Sequence, residues 1–189
     1  MSIIDTLIFD RTTADSERFL SLRQRLMQGE PLTDDELAEW LGGMRGTYNT
    51  TDMNRVGETV EYLKAKALTL TNDLNAYRLA LMLDTDPLWT PGDVSDIASK
   101  TDWAVSDIPL QTEMETYLQN IRILRAVVPM DSPEPPESMD FLTHHTANNI
   151  EESLHMADGA IDAFLDVAID TMIRAKSAFI YSGDAYTGG

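Results

Sequence analysis

Between Thr143 and Ser177 the chain contains no proline, and its apolar residues fall at Ala147, Ile150, Leu154, Ala157, Ile161, Phe164 and Ala168. Steps that alternate between three and four residues give a seven-residue repeat held over three heptads, which in a helix puts all of these side chains on one stripe. A helix of that length, roughly 50 Å at 1.5 Å per residue, cannot leave such a stripe in water. The fold must therefore run another helix along it. The small residues Ala147, Ala157 and Ala168 let that helix approach closely. The pattern predicts a mainly α protein: an elongated helical bundle with a long C-terminal helix over 143–178 and short extended terminal segments.

Helix signals upstream agree. Thr12 or Thr13 can cap a helix running to about Gln28, with Phe19, Leu20, Leu22 and Leu26 at helical spacing and Gly29 as its stop. Thr33 and Glu36 form a capping box for the next, whose apolar side is Leu37, Trp40 and Leu41 and whose end is Gly42-Gly43. The loop between them is short, so the two are expected to pack as neighbours. A third helix is expected from a Thr51 cap, with Met53, Val56, Val60, Leu63 and Ala67 on one side. Thr69 to Asn72 interrupts it before Leu74, Tyr77 and Leu81 resume the period, which fits either one kinked helix or two. Leu110 to Val128 reads as a fourth, presenting Met114, Leu118, Ile121 and Val128. In the turn after the second helix Gly43 and Gly46 are expected at positive φ, with Tyr48 packed over the junction of the first three helices. Near the start, Ile3, Leu7 and Phe9 alternate with Ile4 and Ile8 as a short extended segment would.

The connections are as informative as the helices. Residues 84–109 hold three prolines and two tryptophans, and Trp89 and Trp103 are expected to fold this long connection back onto the helices. Pro133, Pro135 and Pro136 enforce a stiff spacer and mark the best hinge or domain boundary. The organisation then reads as an N-terminal helical region (1–128), a proline-rich spacer (129–142), the long helix (143–178) and a terminal arm (179–189).

Composition removes several classes of function. With 32 acidic and 14 basic residues the net charge is -18, and the imbalance lies mostly in residues 79–189, which hold 19 acids and 5 bases. Nucleic acid binding needs a clustered basic surface, so it is not expected. A basic protein partner and simple solubility both fit the field. No apolar run approaches the roughly 20 residues of a membrane span, and the N-terminus lacks the basic region of a signal peptide. A soluble chain made in the cytosol is expected. The absence of cysteine removes disulfides, thiolate metal sites and cysteine nucleophiles.

Candidate sites reduce to acids on the long helix. Asp158, Asp162, Asp166 and Asp170 recur every four residues, and no lysine or arginine lies between Ala126 and Ile173. This is either a docking stripe for a basic partner or a solvated face whose repulsion, a few tenths of a kcal/mol per pair, apolar burial outweighs. Glu151, His155, Asp158 and Asp162 also share a face, but a carboxylate-bridged metal bundle needs matching sets from other helices, and none of those holds a histidine. His144-His145 suits a cap or a surface. With no phosphate loop, nucleophile elbow or His-Glu-x-x-His motif, neither metal nor cofactor nor enzymatic activity is expected.

Four word-like segments suggest a family. Phe9-Asp10-Arg11-Thr12-Thr13-Ala14-Asp15, then Gly43-Met44-Arg45-Gly46-Thr47-Tyr48-Asn49 with Asp52-Met53-Asn54-Arg55-Val56, then Lys100-Thr101-Asp102-Trp103, and finally Tyr181-Ser182-Gly183-Asp184-Ala185-Tyr186-Thr187-Gly188-Gly189 resemble small structural proteins encoded in the tail-gene regions of phages and prophages of low-GC Gram-positive bacteria. The resemblance touches the start, middle and end of the chain. It implies a virion component of the tail tip, baseplate or fibre attachment region, synthesised in the host cytoplasm, with other tail proteins as partners and three or six copies around the tail axis.

The expected role is therefore a structural or adaptor subunit assembling through helix packing and terminal arms. Its interface would be the seam residues Ile150, Leu154, Ile161 and Phe164 together with Phe179, Tyr181 and Tyr186 of the aromatic end, which could pair with residues 3–9 or with a neighbouring protein. The alternative is a receptor- or carbohydrate-binding module built on the Trp89 and Trp103 loop.

Overall fold

The computed structural model describes residues 1–81 and 91–183, with the side chains of 178–183 excepted. It is mainly helical, and among the described residues no strand occurs. A 3-10 turn, Ile3–Thr6, is followed by α1 (Thr13–Met27), α2 (Asp34–Gly42), α3 (Thr50–Ala80), α4 (Gln111–Arg125) and α5 (His144–Gly183). Trp89 and Tyr186 lie outside the described residues.

The helix starts follow from local chemistry. Thr12 caps α1 reciprocally with Asp15, and Thr33 caps α2 with Glu36. The two helices pack as expected, through a Phe19–Trp40 ring stack at 5.4 Å and the pairs Arg18–Glu39 (3.1 Å) and Arg25–Glu36 (2.7 Å). The third helix is capped by Asn49 rather than Thr51: the Asn49 carbonyl oxygen accepts from the Thr51 and Asp52 N–H groups while Asp52 accepts from the Asn49 N–H. Thr51 already lies inside the helix, which begins at Thr50. α3 also runs unbroken through Thr69 to Asn72. The Thr69 and Thr71 hydroxyls turn back onto the Ala65 and Ala67 carbonyls, and buried Leu70 and Leu74 hold that stretch in the core.

Two expectations about backbone change. Residues 3–6 form a turn, because Ser2 and Asp5 cap each other across it, and Ile4 and Leu7, three apart, are both buried. Gly43 does have positive φ (89°), but Gly46 does not. Gly46 is required by closeness instead: a Cβ there would stand 1.9 Å from the Asp15 carbonyl oxygen.

Long helices α3 and α5 lie side by side in the same sense, since Arg55 meets Glu151 near their starts and Lys66 meets Asp158 and Asp162 further along. Residues 91–110 return along α3: Gly92 reaches the Val127 carbonyl, Lys64 holds the Ile97 carbonyl, and Asn54 brackets the Trp103 backbone. α4 then packs against both long helices. The proline-rich residues 129–142 are tied down at each step. Arg125 holds the Ser132 carbonyl, Ser153 the Pro133 carbonyl, Asn149 the Glu134 carbonyl and Arg122 the Pro136 carbonyl.

The other helix demanded by the α5 stripe is supplied by the chain itself. Ile150, Leu154, Ala157 and Ile161 pack with Val56, Val60, Leu63, Leu118, Ile121 and Leu124, nearly all of them fully buried, and Ala147 is buried as well. Each large side chain so buried contributes about 1.5–3 kcal/mol. Ile150, Leu154 and Ile161 are therefore core residues with no surface left for another copy, whereas Phe164 and Ala168 are only partly covered. Phe179 and Tyr181 fall within α5, whose helix continues through Gly183, so residues 179–183 are helical rather than an extended arm.

Candidate functional site

The polar centre of the molecule is a box of four charges that the core encloses. Arg11 comes from the segment before α1, Asp52 and Arg55 from the first turns of α3, and Glu151 from the second turn of α5. Arg11 Nη2 donates to Asp52 at 2.9 Å and to Glu151 at 2.7 Å; Arg55 Nη2 donates to the same two oxygens at 2.5 and 2.8 Å. The second oxygen of Asp52 takes the Asn49 N–H, and that of Glu151 takes the Ile8 N–H (2.7 Å) and Arg55 Nε (3.0 Å). All four carboxylate oxygens are thus engaged, and the formal charges cancel. Glu151 is 0% exposed.

Around the box, Asn148 exchanges two hydrogen bonds with the Arg11 backbone, and the Arg11 guanidinium lies 5.5 Å from the Tyr48 ring centre. The Tyr48 and Tyr117 hydroxyls meet at 2.6 Å. Burial pushes both phenols well above their usual range, with the charges of Glu151 and Asp52 adding to it. Burial alone would depress Arg55, but its bonds to Glu151 and Asp52 hold it above an ordinary guanidinium. Such groups neither give nor take protons near neutrality. What the box does is fasten: three chain segments, far apart in sequence, are joined at a point where removing one charge strands another in low dielectric.

No family model, no curated protein and no solved structure matches this chain. Three of its four word-like segments nevertheless acquire a physical reason. Arg11 of the first, Tyr48 and Asn49 of the second, and Asp52 and Arg55 of its continuation build or cap the box, while Asn54 grips the Trp103 backbone and so joins that continuation to Lys100-Thr101-Asp102-Trp103. Trp103 is buried, with Lys100 Nζ 4.0 Å from its ring centre, and is not available as an exposed platform for a sugar.

Of the residues singled out on α5, Glu151, His155, Asp158 and Asp162, only the last two meet at one point. Glu151 is in the box, the His155 ring stacks obliquely on Phe9 at 5.0 Å, and Asp158 and Asp162 share Lys66. Among the described residues no cluster suited to a metal ion forms. Further along the acidic stripe, Asp170 pairs with Arg174 at 2.8 Å. Sequence reasoning missed the box itself. The signal was there in part: Asp52 and Arg55 stand three apart amid Met53 and Val56, and Glu151 stands beside Ile150 on the buried face. Nothing local said that Arg11 would meet them.

Proposed function

We propose that this chain is a structural or adaptor subunit of a phage tail, in the tip, baseplate or fibre attachment region. The observation that carries the reading is in the second halves of the two long helices. Leu79 is 82% exposed and Val167 64%, with Leu68, Tyr77 and Ile173 also exposed. These side chains lie away from the box, on helices that also carry the buried Leu70 and Leu74 and the partly buried Ala168 and Met172. That is the layout of a part that presents an apolar surface to neighbours while its own fold is already complete. The resemblance of the four segments supports the placement in a tail, with other tail proteins or further copies, three or six about the axis, as neighbours in the virion.

The test is to substitute Leu79→Glu with Val167→Glu and follow incorporation into particles produced in the host. The purified variant is expected to melt like the parent and to be missing from the particles. Incorporation at the parental level would overturn the reading.

A further inference from the structure

The connection into α4 carries three large apolar side chains in the open: Val105 is 92% exposed, Ile108 85% and Leu110 61%. They fall within six residues, unlike the single apolar side chains scattered over any protein surface. Local preference argues against two of them. Val105 lies in a turn closed by the Asp107 N–H on the Ala104 carbonyl at 2.9 Å, where polar residues and glycine are usual. Leu110 is the N-cap residue of α4 and supplies no side-chain cap, whereas threonine or asparagine caps α1, α2 and α3. The segment is nevertheless held. Asp107 accepts from Lys100 Nζ at 2.9 Å and from the Ala104 N–H at 3.1 Å, Glu113 accepts from the Leu110 N–H at 2.8 Å, and buried Trp103 anchors the near end. A tip fixed in this way meets a partner preorganised.

Its charge states what that partner is. Residues 96–115 hold five acids, Asp96, Asp102, Asp107, Glu113 and Glu115, against Lys100, and α3 adds Lys64, which binds the Ile97 carbonyl. Acids therefore outnumber bases five to two around the apolar tip. We infer that residues 104–110 dock on another protein, through a surface apolar at its centre and bordered by lysine and arginine. A second copy of this chain, at net charge -18, and an anionic membrane would both be repelled. The tip is separate from the exposed side chains of α3 and α5, and it does not depend on the tail reading.

The full-length chain is titrated with a cationic amphipathic peptide, acetyl-LKKLLKLLKKLLKL-amide, and with its counterpart carrying glutamate for lysine. Binding is followed by the methyl resonances of Val105, Ile108 and Leu110. The lysine peptide is expected to saturate these shifts and to bind at least about tenfold more tightly than the glutamate peptide. Val105→Ser with Ile108→Ser should weaken it about tenfold, and Leu110→Thr about threefold. Leu110→Thr separates docking from folding, because the new hydroxyl caps α4: it should melt at or above the parental temperature while binding more weakly. Equal binding of the two peptides would overturn the inference. So would parental affinity in either variant, or no saturation by about 1 mM. Dimerisation in sedimentation, or binding to phosphatidylcholine vesicles, that is lost in Val105→Ser with Ile108→Ser would assign the tip to a second copy or to a lipid surface and overturn it as well.

Discussion

Glu151 shows what a single side chain contributes here. It accepts from two guanidinium groups and one backbone N–H, with no exposure to water. Glu151→Gln keeps the shape and removes the charge, leaving Arg11 and Arg55 with one anion between them; a loss of about 3–5 kcal/mol is expected, read from urea unfolding. Two backbone positions make opposite predictions. Gly46→Ala drives a methyl into the Asp15 carbonyl and should cost about 1–3 kcal/mol, since backbone rather than a flexible side chain must yield. Phe141 is 99% exposed at φ 56°, so Phe141→Gly relieves a left-handed conformation without losing a contact and should gain about 0.5–1 kcal/mol.

Among the elements, the α1–α2 hairpin rests most on charge. Glu36 accepts from the Thr33 backbone N–H and from Arg25, and these hold its carboxyl down to about 2 against an ordinary 4.5. A depressed acid stabilises the fold fully above its unfolded value and loses that contribution as pH falls toward the folded one. The hairpin should thus weaken between about pH 4.5 and 2. Urea midpoints of the parent and of Glu36→Gln, measured from pH 6 down to 3, should converge as pH falls; parallel curves would show that Glu36 contributes no such dependence. The α3–α5 pair depends on packing instead, and Leu154→Ala should cost about 2–5 kcal/mol at any of these pH values.

For the molecule as a whole, the two long helices run in the same sense, and residues 91–110 and 129–142 lie as irregular straps pinned by side-chain bonds to backbone carbonyls. The box joins residues 11, 52 and 151, so it is complete only when these three distant segments have met. Charging the near half of α5 should therefore unfold everything. Leu154→Glu with Ile161→Glu is expected to abolish the cooperative melt followed by circular dichroism, in contrast to Leu79→Glu with Val167→Glu, which should leave it in place.

Helix identity was legible in the residues because it depends on neighbours three and four apart. The capping box at Thr33, a cap at Thr12 or Thr13, and the depth of the α5 stripe at Ile150 and Leu154 all follow from local spacing, whereas the helical course of residues 179–183 does not. What covers that stripe was not legible, because a heptad seam is satisfied equally well by another chain or by an earlier helix of its own. The tertiary structure decided for α3 and α4. It also decided the meaning of Arg11, Asp52, Arg55 and Glu151, four charges that look solvated one at a time and become a core only when folding brings segments some 140 residues apart within 3 Å. Sequence spacing records which atoms share a helix face; desolvation, which set the value of these charges, is a property of the finished packing.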